Sequence, residues 1–340
     1  RSRHRGRRQL KNERLAELAA IKLRALVSEH KGQDIPEASR LGGGASTQID
    51  DEGWIYYPTV HSGALGSAVI WGTAHGCERV NLIVDEGGGD LAHAATMFAE
   101  PAPQIWRAHE REIHLVEPVV PKIERPPECL DYNVVLAEAG LDIVADHGVW
   151  LGEINGLEVA RVGLRDGKCS IDIGVGAYDQ FASAALNVDR DAATELAMVV
   201  DMVRPHRTAG AAPHPMGRIV RARWLRTQII RQPDLIGLDS INPIPLLHER
   251  PGLMEAQPAA AIGRRGNETV LVVCSVGLDL GVAETAAGLA AYLCGDDTIH
   301  SIDEVIVAVP TRDRYQRIVD SVAGLALPSS VLAVEGEWSD

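Results

Sequence analysis

The sequence predicts an α/β protein, with two βαβαβ three-layer units forming a pseudo-repeat around a central α/β segment that contains a β-hairpin. Three observations support this. From Glu52 the chain reads GWIYYPT, GALGSAVIWGTAHG, ERVNLIVDE, DLAHAATMFA and QIWRAHEREIHLVE; from Glu268 it reads TVLVVCS, GLDLGVAETAAGLAAYLCG, DEVIVAVP, RDRYQRIVDSVAGL and SSVLAVE. Both runs give strand, helix, strand, helix, strand at similar lengths, a likeness of pattern more than of identity. The runs VNLIV, VLVV and VIVAV are continuously apolar and β-branched, as parallel strands covered on both faces require. Between the two units, Asn155-Gly156 separates two extended apolar runs, the strongest short hairpin signal available.

In chain order, residues 1–50 read as a basic arm over 1–9, an amphipathic helix over 10–30 and a linker containing Pro36 and Gly42–Gly44. The helix carries Leu10, Leu15, Leu18, Ile21, Leu23, Leu26 and Val27 near a 3.6 period, so its apolar stripe must dock on the first unit or on a second subunit. Residues 51–118 form the N-terminal unit, closed by the Pro-rich PVVPKIERPPE. The central segment, 128–235, reads as helix (DYNVVLAEAG), two strands about Asn155-Gly156, a third strand (CSIDIGVG) and two helices (YDQFASAAL and DRDAATELAMVVDMV), the second with Asp189 as N-cap. An arginine-rich helix, GRIVRARWLRTQIIRQ, follows. The stretch 232–266 is a connector, and residues 266–337 form the C-terminal unit.

Composition narrows the function classes. The 340 residues carry a formal charge of −14, and 46% are apolar. Residues 1–14 hold seven Lys/Arg against Glu13, which leaves 26 basic and 46 acidic side chains in the rest. An acidic body is not that of a general DNA coater. No run approaches the roughly eighteen apolar residues of a membrane span, and the basic start runs into a polar helix rather than the apolar core of a secretory signal. The five cysteines, Cys77, Cys129, Cys169, Cys274 and Cys294, are scattered without a CxxC pair, which reads as a reduced, cytoplasmic protein without a zinc framework.

Several constellations bear on chemistry. Gly87–Gly89 precedes a helix, a place where backbone N–H groups can cradle an anion, but Asp85, Glu86 and Asp90 surround it with negative charge; a plain turn accounts for it as well. The loops His61-Ser62-Gly63 and Ser275-Val276-Gly277 follow the first strand of each unit, where α/β sheets bind ligands, yet neither forms a GxSxG elbow. His206 and His214, eight residues apart, lack a third ligand nearby. From Met202 to Pro233 there are seven arginines and no acid. Arg218, Arg221 and Arg226 are candidate phosphate clamps, because guanidinium groups bind phosphate bidentately. Alternatively, these arginines pair with carboxylates and hold the helix in place.

Acidic residues on the strands of the central segment, Asp146, Glu153 and Glu158 in ADHGVWLGEINGLEVARV and Asp172 in SIDIGVG, resemble the core of the PD-(D/E)XK nuclease superfamily over about fifty residues. The resemblance implies that these carboxylates are candidate ligands for Mg²⁺ or Mn²⁺, which would activate a water for attack on a phosphodiester. The family's lysine, two positions after the second acid, is replaced by Ala160 or Gly174. Arg161 lies one residue out, and reaches the carboxylate face only if a β-bulge turns it there. The resemblance therefore implies a protein that binds nucleic acid or phosphate with hydrolysis weak or lost. A homo-oligomeric scaffold without enzymatic activity, and a small-molecule enzyme with a pocket at the strand ends, are the alternatives.

Overall fold

The computed structural model describes residues 2–176, 191–248, 252–295 and 301–336. It is a mixed α/β protein in which the described strands form sheets of six, four and five strands. The chain groups into two compact units. The first comprises Arg1–Val120, Asp279–His300 and Gln316–Ser329; the second comprises Pro121–Leu278, Ser301–Tyr315 and Ser330–Asp340. The C-terminal segment from 266 to 337 thus contributes to both.

In the first unit, β1 (Ser39–Leu41), β2 (Gly44–Ile49), β3 (Glu52–Tyr57), β4 (Arg79–Val84), β5 (Gln104–His109) and β6 (Glu112–Leu115) lie side by side in sequence order. β3, β4 and β5 are parallel, while β2 and β6 add antiparallel strands beside them. The expected linker at 31–50 therefore supplies a strand hairpin, because Gly42 and Gly43 turn two short extended runs back on each other. Likewise QIWRAHEREIHLVE is two strands, broken at Glu110, whose φ is 53°. Helix α1 (Ser2–Lys31) includes the expected arm. Ala16 is buried, and Ala19, Leu23, Leu26 and Val27 are buried in a core with β2 and β3, whereas Leu15, Leu18 and Ile21 are exposed; the side chain of Leu10 lies outside the described set. The helix thus docks on its own unit through Ala19, Leu23, Leu26 and Val27.

Helices α2 (Ala64–Ala74) and α3 (Gly89–Ala95) connect the parallel strands. The second unit contains, in chain order, α4 (Leu130–Glu138), β7 (Asp142–Asp146), β8 (Val149–Ile154), β9 (Leu157–Arg165), β10 (Lys168–Ile173), α5 (Ala192–Val203), α6 (Pro215–Arg218), α7 (Arg221–Arg231), β11 (Ser240–Ile244), β12 (Ala259–Arg265) and β13 (Glu268–Cys274). Helix α8 (Val282–Cys294) then belongs to the first unit, β14 (Glu304–Pro310) to the second and α9 (Gln316–Ala323) to the first, and β15 (Ser329–Val334) ends the chain's regular structure. β11 to β15 lie in sequence order, with β12 antiparallel and β14 parallel to β13. VNLIV and VIVAV are thus both central strands, as their uniform apolarity demands. The 232–266 connector supplies β11 and β12. Asp191 caps α5 by accepting a hydrogen bond from the Thr194 N–H; Asp189 and the YDQFASAAL stretch lie outside the described residues.

Within the first unit α3 packs on α8 and α2 on α9, and the turns after α3 and α9 pair through Ala99 N–H to Gly324 O (2.9 Å) and Ala326 N–H to Met97 O (2.8 Å). The N-terminus of α2 is capped by a carboxylate from a distant part of the chain. Glu284, in the first turn of α8, accepts hydrogen bonds from the N–H groups of Gly63 (3.2 Å), Leu65 (2.7 Å) and Gly66 (3.1 Å). This fills the loop after β3, so that candidate ligand site is occupied by the protein's own carboxylate. Burial pushes the Glu284 carboxyl up to about 7, against the lowering effect of its three backbone donors and with a smaller upward push from Asp90.

A carboxyl whose pKa is raised on folding favours the folded state most at low pH. Its contribution is complete below the ordinary glutamate value of 4.5 and is lost as pH rises through about 7. Wild-type protein should lose on the order of 2–3 kcal/mol between those pH values relative to Glu284→Gln. Parallel denaturant titrations at pH 4.5 and 7.5 check this; equal pH slopes in the two proteins would refute the assignment.

Candidate functional site: the arginine-lined cleft of the meander

Strands β7 to β10 form an antiparallel meander in the order β10-β9-β8-β7. Three two-residue turns connect them: His147-Gly148, Asn155-Gly156 and Asp166-Gly167, with positive φ at both residues of each turn (32° and 79°, 47° and 78°, 52° and 74°). That is the geometry of hairpin turns whose twist matches the strands, and Asn, Asp or His followed by Gly supplies it at low steric cost. IVADHGVWLGEI is therefore two strands rather than one.

The arginine-rich stretch fastens to this meander. Arg207 is wholly buried. Its guanidinium donates to the carbonyl oxygens of Ile154 (3.4 Å), Met216 (2.9 Å), Ile219 (3.0 Å) and Asn155, and stacks 4.3 Å over the Trp224 ring. Burial pushes this guanidinium down to about 9; Glu153 opposes that fall, and Arg221 and Arg223 add to it. A guanidinium so placed stays cationic at neutral pH. By claiming the Met216 and Ile219 carbonyls, Arg207 holds the chain in a break. Ile219 is extended and Val220 has φ 43°, so the expected continuous helix from Arg218 is two, α6 and α7.

The phosphate-clamp candidates are separated accordingly. Arg218 is exposed at the end of α6, Arg221 is half-buried at the start of α7, and Arg226 is buried within α7. Arg226 donates to Glu153 at 2.7 Å, with side-chain exposures of 3% and 0%. Arg231 binds Asp142 (3.0 Å) and Asn155 Oδ1 (2.6 Å), and Arg204 donates to the Ala139 carbonyl (3.0 Å) where α4 ends. Here the arginines act as fasteners.

Each of the four candidate metal ligands has a cationic or imidazole partner. Glu153 and Glu158 stand directly opposite each other across β8 and β9. Glu153 is held by Arg226, and Glu158 receives both Nε (3.0 Å) and Nη2 (3.2 Å) of Arg161. Asp172 binds Arg165 at 2.7 Å, and Asp146 Oδ1 lies 2.8 Å from His147 Nδ1. Among the described residues no three or more His, Cys, Asp or Glu side chains gather into a set that could hold a metal ion. The register shifts at Gly152/Glu153, so Val159 is an extra residue in β9. This bulge puts Glu158 on the same face as Arg161, the condition under which Arg161 reaches a carboxylate.

On that face lies an open cleft of about 480 Å³, lined by Glu124, Arg125, His147, Arg161, Arg165, Ser170, Asp172 and neighbouring residues. Arg161, Gly163 and Arg165 share one face of β9 by the period-two rule. Directly opposite them on β10 stand Asp172, Ser170 and Lys168. Gly163 keeps the floor low, since a Cβ there would meet Val149 Cγ1 at 3.0 Å. The arginines on either side are partly exposed, 41% for Arg161 and 59% for Arg165. The other wall is the extended segment Pro121–Glu128, hereafter the strap. It is pinned by Gly148 N–H to Glu124 O (2.9 Å), by Trp150 Nε1–H to Pro127 O (2.9 Å) and, just beyond its end, by a disulfide between Cys129 and Cys169.

That disulfide corrects the expectation that all five cysteines are reduced. The hairpin carries Cys169 to the N-terminus of α4, a proximity that a separation of 40 residues conceals. Cys77, Cys274 and Cys294 are free. His206 and His214 stack at 3.7 Å without joining a ligand set among the described residues. A second cavity, beside Asp146, Arg223 and Arg226, measures about 10 Å³, room for no more than about one water. Sequence reasoning missed Arg165, Arg125 and Ser170. The signal was present in RVGLR, two arginines four apart on a strand with glycine between.

If Arg226 is a fastener, Arg226→Met should destabilise the fold by about 3–5 kcal/mol, because it strands a buried carboxylate, and Arg226→Met/Glu153→Met should recover much of the loss. Urea unfolding of the three proteins checks this; a neutral single variant would show that the pair carries no such load. No protein-family model matches this sequence, and neither a curated protein nor a solved structure matches it.

Proposed function

We propose that the protein binds a phosphate-bearing ligand of about nucleotide size in the meander cleft. The observation that carries this reading is the pair Arg161 and Arg165 on one face of β9, spaced by a glycine floor. Two guanidinium groups in that arrangement offer paired N–H donors to the oxygens of one phosphate. Arg165 is the more readily recruited of the two, since Arg161 gives Nε and Nη2 to the buried Glu158. The Arg165–Asp172 pair is a solvent-exposed ion pair, worth about 0–1 kcal/mol, so a dianionic phosphate competes well for the guanidinium. Arg125 adds a third positive charge from the strap. The volume suits a small ligand, and the acidic charge of the whole chain disfavours long polyanions. The resemblance to the PD-(D/E)XK core enters this reading as a binding site and not a hydrolytic one, since Glu153 and Glu158 serve as arginine partners.

Calorimetric titration with inorganic phosphate and with a nucleoside monophosphate tests the proposal. Arg161→Ala and Arg165→Ala should each weaken binding about tenfold to a hundredfold, the worth of a charge-assisted hydrogen bond. Asp172→Asn should tighten it by releasing Arg165. Wild-type protein that binds neither probe at low salt overturns the reading, as does unchanged affinity in both arginine variants.

A second reading is favoured by a different observation: Leu15, Leu18 and Ile21 form an exposed apolar line on α1. A homo-oligomer that buries this line would explain why the stripe exceeds what the docked face needs. Sedimentation of Leu18→Glu/Ile21→Glu should then show a smaller species than wild type, and identical sedimentation would refute it.

A further inference from the structure

We propose that the Cys129–Cys169 disulfide is a redox latch on the meander cleft: its reduction releases the strap and weakens binding. The inference rests on the phosphate-binding reading for its affinity arm alone. Three observations support it.

First, the latch sits where the strap ends. Cys129 immediately follows the strap and is the N-cap residue of α4, and Cys169 lies on β10, the edge strand of the meander. One covalent bond thus ties a cleft wall to the sheet that forms the cleft floor. Second, the remaining strap contacts described are two single hydrogen bonds, from the Gly148 N–H to Glu124 O and from the Trp150 indole N–H to Pro127 O. The strap side chains Lys122, Glu124, Arg125 and Glu128 are exposed and those of Pro121, Ile123, Pro126 and Pro127 are half-buried, so no strap side chain is fully buried. Third, His147 has a buried Nε2 with no hydrogen-bond partner among the described residues, while its Nδ1 is taken by Asp146. His147 and Glu124 line the same cleft, and a Cβ at the adjacent Gly148 would stand 3.0 Å from a Glu124 carboxylate oxygen. A buried nitrogen without a partner is costly, and displacement of the strap would return it to water or ligand.

The chemistry is a two-electron exchange with a dithiol. A dithiol thiolate attacks the sulfur of Cys169, which is partly exposed, and the Cys129 sulfur leaves as a thiolate that takes up a proton. The second thiol of the reductant then displaces Cys169 from the mixed disulfide. The products are two cysteine thiols and an oxidised, disulfide-bonded reductant.

The test compares oxidised wild-type protein, wild type reduced with dithiothreitol, and Cys169→Ser; Cys169→Ser leaves the buried Cys129 side chain in the core. Hydrogen exchange at the Gly148 amide and across 122–128 should rise at least about tenfold in the reduced and Cys169→Ser proteins, as expected for a local opening that leaves the rest of the fold intact. Inorganic phosphate should bind about threefold or more weakly in both, because Arg125 leaves the wall. Unchanged exchange overturns the latch, whatever phosphate does. Faster exchange with unchanged phosphate affinity overturns its control of the cleft. Faster exchange in a protein that binds no phosphate in either state leaves the latch standing and removes the phosphate reading instead.

Discussion

A cation with no exposed surface organises the second unit, and much of what surrounds it follows from satisfying that charge. Four backbone carbonyls and the face of Trp224 receive Arg207. The acceptors come from two places, the end of β8 with its hairpin turn and the break between α6 and α7. A planar guanidinium with five donors can serve both at once, which a lysine ammonium cannot. The β8–β9 turn is thereby joined to the start of α7. The left-handed Val220, a costly conformation for a β-branched residue, persists beside the carbonyl of Ile219 that Arg207 holds.

With α7 so placed, the remaining charges fall into an order set by burial. Arg226 meets Glu153 with almost no solvent around either, a pair whose separation would leave a charge stranded. Arg231 reaches Asp142 at the rim, where water weakens the bond. On the other strand of the hairpin, the bulge at Val159 lets Arg161 neutralise Glu158, which would otherwise face Glu153 directly as a like charge. The apolar side of α7 closes the unit's other core: Trp224, Leu225 and Ile229 pack with Ile241, Ala261, Val270 and Val272.

In the first unit, a buried carboxyl group plays the corresponding part as an acceptor. Glu284 receives three N–H groups at the N-terminus of α2 that have no intrahelical partner, and the loop after β3 is closed by it. The open cleft of the meander differs in kind. Its arginines keep part of their surface in water and its glycine floor leaves room above the sheet, so its charges remain exchangeable.

The sequence by itself determined the α/β class, the central place of VNLIV and VIVAV, the Asn155-Gly156 hairpin and the helices α2, α4 and α5. These depend on local periodicity and turn chemistry, which neighbouring residues decide among themselves. It also supplied the proviso, a bulge in β9, under which Arg161 reaches a carboxylate. Which arginine is a fastener and which faces a cleft was a tertiary decision. Arg226 and Arg161 look alike in a string, but one lies under α7 against Glu153 and the other beside an open floor. The break at Val220, the pairing of Cys129 with Cys169 and the capping of α2 by Glu284 were equally hidden. Each joins residues far apart in the chain, and the energy that fixes it, whether burial of a charge, closure of a long loop or satisfaction of free N–H groups, exists only once the fold has brought them together.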